Sequence, residues 1–533
     1  MTGMTTRLDE APVRAMDESG PGIAGLPWPG WVILLLTAVL SVIWSANKQL
    51  WQDEIFSFQT DRVASLGEVM RIERSYPISL EPPLYHVLSH WAMAMFGPTA
   101  FALRLPALCG FLLMQVGLYF FVRNLAGSRA GLVAMTVPVL ALTMYYSAEG
   151  RPYGMLLGTY AMVALCWQIA SRRAEVAGSS RLWPLIGLAV ALGMALNLHF
   201  YGVLLLVPLC GAELVRTISR RRLDAAMLVA IGSGTALFAA AIPYIKASAE
   251  FKKHYYLSNI SPHLMTQPYR QMMLDYTDYS MSVQRVLALA IWCAGAVVVW
   301  GCLRAVRRRD AVIPVGEWTM ILLMVLIPVF AFVVGRLVTH TLEVRHSTGA
   351  IVGISALVAI SLAPMLRRKT MFYAVMAVAV AGMMAATGAR ILRSAAATRQ
   401  TMAALTIPPE LKAEVDAAAD RNIYFQNLGK WETASLYEPD PEMRSRLVLV
   451  YSLNEEMTLQ NHDTMYLTAV HTKRFSSQPI VSYDDLRKTP GEHIFAVFHS
   501  DWDWTDYAFA EEALSVEPIG KALGGDLVKV RFR

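Results

Sequence analysis

Charge is scarce in this chain of 533 residues: Asp, Glu, Lys and Arg together make up 17%, while hydrophobic types make up 55%. A soluble globule carries about a quarter charged residues, so a water-facing fold is excluded. Cysteine is sparse as well. The five, Cys109, Cys166, Cys210, Cys293 and Cys302, all fall in apolar stretches, which leaves neither a disulfide framework nor a zinc-finger spacing. There is no internal repeat and no low-complexity tract. Residues 1–26 carry Arg7 and Arg14 but no compact apolar core or small-residue cleavage site, and are expected to be a short cytoplasmic tail, not a cleaved signal. A net charge of +6 would suggest a nucleic-acid partner in a soluble protein. Here the basic residues cluster in short connections between apolar runs, where they set topology, and no nucleic-acid partner is expected.

What the chain has in abundance is long apolar runs. A helix rises about 1.5 Å per residue, so a hydrocarbon core of about 30 Å takes roughly twenty apolar residues. About eleven such segments can be placed, centred near Leu35, Gln115, Val137, Met162, Val190, Leu206, Ala236, Ala290, Val325, Gly353 and Ala379. The polar run Asn197–Gly202 cuts one long stretch into two. With the N-terminus inside, every second connection is basic: Arg123 and Arg129, Arg172 and Arg173, Arg216 with Arg220–Arg222, Arg304 with Arg307–Arg309, and Arg367–Lys369. That alternation obeys the positive-inside rule. The expectation is a polytopic α-helical protein of the cytoplasmic membrane, with a tail over residues 1–29, a membrane domain over 30–390 and an extracytoplasmic domain over 391–533. Pro408-Pro409 and β-type runs such as Leu447–Tyr451 and His493–Phe498, after a helical Glu410–Ala419, make that last part a small α/β domain. Residues 48–100 form the first outer loop. Within it Leu66–Arg74 and Leu84–Phe96 are amphipathic and too short or too polar to span, so they are expected to lie on the membrane surface with Trp91 and Met95 toward lipid.

The same alternation sorts the ionisable residues onto one side: Asp53, Glu54, Glu81, His86, Arg104, Glu149, Arg151, Tyr153, His199, Tyr201, Arg345 and His346. A carboxylate can take a proton from a hydroxyl or bind a hard cation, and a guanidinium pairs two phosphate oxygens at once. The set suits transfer of a group from a phosphate-activated lipid. Plainer roles compete at each position. Asp53 and Glu54 could cap a helix, Arg104 could anchor a span, His86 could sit on a surface helix, and His199 and Tyr201 could belong to an aromatic belt. His254, Tyr255 and Tyr256 could form a lid or a plain connector. A transporter or flippase of a lipid-linked or anionic substrate is the alternative class. It calls for ionisable groups deep within spans and for matching broken helices, which the sequence does not display. An anchored binding protein working through its tail is a third class, but the tail shows no nucleophile motif and no metal-ligand spacing.

Four features occur in order: Asp53-Glu54 after the first span, Pro82-Pro83-Leu84-Tyr85, Arg104-Leu105-Pro106, and Ser147-x-Glu149-x-Arg151-Pro152-Tyr153. Together they resemble the bacterial family 39 glycosyltransferases, relatives of the protein O-mannosyltransferases and the aminoarabinose transferases of lipid A, over about residues 30–365. The resemblance implies the C-type glycosyltransferase fold, a polyprenyl-phosphate sugar as donor, and a hydroxyl-bearing lipid, glycan or protein as acceptor on the outer face of the membrane. It makes Asp53 the catalytic carboxylate, with Glu54 in support, and transfer inverting. Arg104, Arg151, Tyr153, Tyr201, Arg345 and His346 would bind substrate. Many relatives have His before the Pro-Pro run; Glu81 stands here, as in the aminoarabinose enzymes, and with His199 it could hold a divalent cation. The late Arg-Tyr of many relatives is Arg345-His346 in this chain.

Overall fold

The computed structural model describes residues 25–252, 254, 260–273, 280–309, 313–418, 420–500 and 503–533. Arg7, Arg14, Tyr255 and Tyr256 lie outside the described residues. The membrane part begins with α1 (Trp28–Ala46), α2 (Gln52–Asp61), α3 (Leu66–Ser75) and α4 (Leu84–Phe96). It continues through α5 (Ala100–Ala126), α6 (Ser128–Leu140), α7 (Tyr153–Arg173), α8 (Leu182–Leu198), α9 (Leu206–Arg220), α10 (Ala225–Ala236) and α11 (Ile242–Ser248). A short α12 (Gln267–Met273) precedes α13 (Met281–Arg307), α14 (Val315–Val325), α15 (Ile327–Val334), α16 (Ala350–Leu366) and α17 (Lys369–Leu405).

Among the described residues, seven helical stretches are long and apolar enough to cross a membrane, one bent pair makes an eighth, and α6, α8 and α16 are shorter apolar helices. Each coincides with one of the expected segments. The cut at Asn197–Gly202 is real: α8 ends at Leu198 and a 3-10 turn over Phe200–Leu205 leads into α9. One span differs from expectation, because α14 and α15 are bent by 53° between Val325 and Ile327. Pro328 in the next turn has no N–H to continue the ladder, and its ring crowds the preceding turn.

Close helix packing comes from small residues. A Cβ on Gly110 of α5 would lie 2.2 Å from the Met155 Cα of α7, and one on Gly158 would lie 2.5 Å from the Gly110 carbonyl oxygen. In a bilayer, where burial of apolar surface gives little preference between helix and lipid contacts, such backbone approach is what holds helices together. At the basic end, ion pairs tie the bundle. Arg172 grips Glu317 with two bonds of 2.8 Å. Arg216 reaches Glu213 at 2.9 Å and Asp224 at 3.2 Å, and Arg129 donates to the Leu366 and Arg367 carbonyls.

The first outer loop is more buried than its amphipathic pattern suggests. Trp91 and Met95 of α4 are exposed as expected, but Tyr85, His86 and Ser89 on the other face are fully enclosed. The segment after α1 is also helical. At its start the Glu54 carboxylate reaches back to accept from the Trp51 backbone N–H at 3.3 Å, closing the first turn.

After α17 the chain builds a six-stranded sheet in the order β3-β2-β1-β4-β6-β5. Its strands are β1 (Ile423–Phe425), β2 (Leu447–Tyr451), β3 (Ile480–Ser482), β4 (Glu492–Val497), β5 (Ala513–Ala522) and β6 (Gly525–Phe532). The first four pair in parallel and are reached by helical crossovers, beginning with α18 (Pro409–Ala417) ahead of β1 and α19 (Leu428–Tyr437) after it. The terminal hairpin turns on Leu523 and Gly524, both at positive φ (57° and 79°), the geometry a two-residue hairpin loop needs.

This sheet domain rests on the membrane part. The Leu50 N–H donates to the Tyr437 hydroxyl at 2.8 Å, and His471 donates to the Pro77 carbonyl at 2.9 Å. Along α17, Ser394 accepts from the Trp44 indole and Thr401 accepts from the Gln49 side chain.

Candidate active site

Between the membrane part and the sheet domain lies a cavity of about 980 Å³. Asp53, Glu81, Arg151, Tyr153, His199, Tyr201, Arg345 and His346 line it together, although they come from five separate stretches of chain. Val203, Phe238, Ile245, Val334 and Val338, from the later helices, make its apolar wall. Val338 belongs to a single π turn over Gly335–Thr339 that closes the bent span, a local irregularity of the kind found at functional sites.

Asp53 stands on the first turn of α2, and its carboxylate meets the Arg345 guanidinium at 3.2 Å. Both side chains stay partly exposed to the cavity, at 23% and 29%. Arg151 is buried beneath them. It pairs with Glu81 at 3.0 Å and donates to the Ser57 hydroxyl at 3.2 Å and, at 3.4 Å, to the Asp53 carbonyl. Burial works against the charge of Glu81, but Arg151 and then His86 hold its carboxyl below the ordinary range.

The two histidines present N–H donors without charge. Burial lowers His199 to about 4, with Arg151 and Arg345 pushing the same way against Glu81. Burial, His199 and Arg345 likewise hold His346 well below its usual value. The Tyr201 N–H donates to His199 Nδ1 and the Glu343 N–H to His346 Nδ1, so each neutral ring carries its proton on Nε2. His199 Nε2 then faces the Tyr153 hydroxyl at 3.4 Å. The His346 ring stacks on Tyr201 at 4.2 Å and 11°, while the Tyr201 hydroxyl is anchored on Thr339 and the Thr341 carbonyl.

Two expected members lie elsewhere. Glu54 and Arg104 do not reach the cavity; they saturate one another, with bonds of 2.7 and 2.8 Å. Glu54 also accepts from the Gly150 N–H at 2.6 Å and faces Lys48 at 3.6 Å. Arg104 donates to the carbonyls of Ser45, Lys48 and Gln49. Burial alone would raise Glu54, but Arg104 and then Lys48, with the bonds from Arg104 and Gly150, bring it down to about 2. Asp53 thus points to the cavity because its neighbour is turned inward and fastened to α5.

His86, a candidate in the sequence, gathers partners around it that the sequence did not single out, and Glu432 was not singled out either. His86 sits among Asp61 (2.7 Å), Glu81 (3.4 Å) and Glu73 (3.5 Å), all buried, and Ser89 donates to Asp61. Although burial opposes its charge, Asp61 and Glu73 raise His86 well above its usual value, so it is an imidazolium. Burial, then repulsion from Asp61 and Glu81, pushes Glu73 up to about 7 against the pull of His86. Glu432 of α19 is fully buried, and burial followed by Asp53 keeps its carboxyl protonated far above the usual range.

A divalent cation finds no ready donor set here. Glu81 and His199 supply two ligands, and Glu81 is already neutralised by Arg151 and His86. Among the described residues no three His, Cys, Asp or Glu side chains are arranged to hold a metal ion.

Residues 80–245 match the family model described as dolichyl-phosphate-mannose-protein mannosyltransferase. Among solved structures, ArnT from Cupriavidus metallidurans bound to undecaprenyl phosphate superposes with a TM-score of 0.59 at 13% identity, covering 94% of this chain and 98% of that one. Its apo state gives 0.58 at 14% identity over the same shares. The Archaeoglobus fulgidus oligosaccharyltransferase in complex with Zn and sulfate gives 0.47 at 9% identity, covering 85% of this chain and 68% of that one. No curated protein matches the chain in sequence. The chain is a multi-pass membrane protein with the C-type glycosyltransferase fold. The matched segment contains the Pro82-Pro83-Leu84-Tyr85, Arg104-Leu105-Pro106 and Arg151-Pro152-Tyr153 runs on which the resemblance rests.

Proposed function

We propose that this protein is a glycosyltransferase that moves a sugar from a polyprenyl-phosphate donor to an acceptor hydroxyl, with the cavity and the sheet domain on the outer face of the cytoplasmic membrane. The basic connections, gathered at the opposite end of the bundle, support this orientation. The observation that carries the proposal is the partly exposed Asp53–Arg345 pair at the polar end of a cavity whose other wall is apolar. An isoprenoid chain would lie along Val203, Phe238, Ile245 and Val338. Its phosphate would be held by Arg345, with the neutral N–H groups of His199 and His346 and the hydroxyls of Tyr153 and Tyr201 beside it. Similarity to ArnT, solved with undecaprenyl phosphate, supports that class of donor.

Chemistry then follows from charge. As the phosphate takes up Arg345, Asp53 loses its partner and is free to accept the proton of an acceptor hydroxyl. That oxygen attacks the anomeric carbon, the bond from this carbon to the phosphate oxygen breaks, and the polyprenyl phosphate leaves with the electron pair. Attack from the side opposite the leaving group inverts the configuration. Arg151 positions α2 through Ser57 and the Asp53 carbonyl, and Glu54 and Arg104 fasten that helix from behind. Residues 30–390 would carry this chemistry, and residues 391–533 would cover it. Nothing favours transport: the ionisable groups lining the cavity collect at one end of the bundle.

Purified protein in liposomes, given a panel of radiolabelled polyprenyl-phosphate sugars, should consume at least one and release polyprenyl phosphate with a covalent sugar product. Movement of label across the bilayer without such a product would end the proposal. Arg345→Ala should raise the KM for the donor about tenfold to a hundredfold, the worth of a hydrogen bond between charged groups. An unchanged donor KM would remove Arg345 from the phosphate site.

No step here is routed through a metal. Glu81 would have to give up Arg151 or His86 to take a cation, so transfer should survive excess EDTA. Loss of activity in EDTA, restored by one added dication, would place a cation at Glu81 with His199 as its second ligand.

A further inference from the structure

The roof of the cavity differs in chemistry from its floor. Every charged side chain that lines it, Asp53, Glu81, Arg151, Glu343 and Arg345, belongs to the membrane part. The sheet domain contributes Gln426, Asn427, Thr464 and Thr468 with Leu428, Gly429 and Met465, and no charged lining residue among the described ones. The roof touches the floor beside the reactive carboxylate: a Cβ on Gly429 would meet the Gln52 side-chain oxygen at 2.8 Å, one residue before Asp53.

Among the described residues, two lining side chains, Gln426 and Ser79, are buried with an amide or hydroxyl oxygen that has no hydrogen-bond partner. Gln426 is 5% exposed and its Oε1 is unpaired; Ser79 is 8% exposed and so is its Oγ. An unmet buried polar atom costs about 1–3 kcal/mol, so it is tolerated where a ligand or water supplies the bond. Amides and hydroxyls both donate and accept, which matches the hydroxyls of a sugar. A phosphorylated acceptor would need a cation on this face, and a basic peptide a carboxylate, because a desolvated unpaired charge is expensive.

Attack in line places the acceptor on the side of the anomeric carbon away from the phosphate. With the phosphate at Arg345 and the base at Asp53, that side is Gln52 and the roof. We infer that the acceptor is an uncharged, hydroxyl-rich glycan bound between Gln52, Ser79 and the Gln426–Thr468 face of the sheet domain. This rests on the donor reading proposed above.

The full chain in liposomes, with undecaprenyl-phosphate mannose or glucose bearing a radiolabel and an extract of native membranes as acceptor, tests it. Label should pass into a product that, once donor lipid is extracted, is not retained by an anion exchanger and survives protease. A product that is retained, or is released by protease, overturns the inference and leaves the donor reading standing. Failure to consume any polyprenyl-phosphate sugar is the separate failure of that reading. Gln426→Leu should raise the half-saturating amount of acceptor extract about tenfold with donor KM unchanged, the effect of one lost hydrogen bond of about 1.4 kcal/mol. Ser79→Ala, which removes a hydroxyl with no hydrogen-bond partner among the described residues, should shift the acceptor in the same direction without a folding cost. A rise in donor KM with acceptor saturation unchanged, in both variants, would assign this face to the donor sugar and overturn the inference.

Discussion

Asp53→Asn should lower the rate of transfer by about a hundredfold to ten-thousandfold, the usual contribution of a positioned general base, while the protein inserts and folds as before. Asparagine keeps the shape of the side chain and cannot take a proton. The Asp53 carboxylate is partly exposed at the cavity and, among the described residues, its hydrogen bond is to Arg345, while the backbone carbonyl that Arg151 and Ser57 hold stays in the variant, which is why folding should be spared. The sign of the binding effect is the sharper part of this expectation. Asp53 competes with the donor phosphate for Arg345, so removing its charge should leave donor KM unchanged or lower, with the whole loss in kcat. Asp53→Ala should behave alike. Steady-state kinetics on reconstituted protein decide the matter, and near wild-type transfer by both variants would remove Asp53 as the base.

The second large effect falls on stability, at the residue beside it. Glu54→Gln or Arg104→Met should each destabilise the protein by about 3–5 kcal/mol, because each leaves a buried charge or a set of buried donors without its partner. Thermal unfolding in detergent and the yield of folded protein report the loss, and single variants as stable as wild type would show the pair to be ornamental. The double replacement Glu54→Leu with Arg104→Met should recover part of the deficit, since no orphaned charge remains. The acid limb follows from the same geometry. The Glu54 carboxyl sits at about 2 in the fold against an ordinary value of 4.5. Its contribution is therefore complete above pH 4.5 and is lost as pH falls toward 2, a difference of about 3 kcal/mol. Glu54→Gln should flatten the stability profile in that window.

These two neighbours show where sequence reasoning succeeds and where it stops. The spans were legible because a run of apolar residues can satisfy its backbone in lipid only as a helix. Asp53, Arg151, His199, Tyr201, Arg345 and His346 could be grouped because the alternation of basic connections puts them on one side of the bilayer, and the cavity does bring them together. Adjacent carboxylates cannot be told apart by sequence alone. Glu54 turns inward because Arg104, fifty residues later, and the Gly150 N–H await it, and no local pattern announces those partners. The α4 helix misled in a related way. Its exposed Trp91 and Met95 gave the amphipathic signal, while His86 on the opposite face is enclosed by acids from α2, α3 and the Pro-Pro segment. The bend at Pro328 was readable in principle from proline in a span. The roof was not: Gln426, Thr468 and Glu432 are ordinary residues of a small α/β domain until tertiary contacts set them over α2.

The length of α17 has a mechanical meaning. From Lys369 to Arg390, whose guanidinium donates to the Ala141 carbonyl, the helix rises about 32 Å, the depth of the hydrocarbon layer. The remaining turns to Leu405 carry the same unbroken helix about 22 Å farther, to the start of the sheet domain. The protein thereby carries a built-in gauge: one unbroken strut sets how far the canopy sits from the end of the apolar run, and one added or deleted turn would reset it by about 5.4 Å.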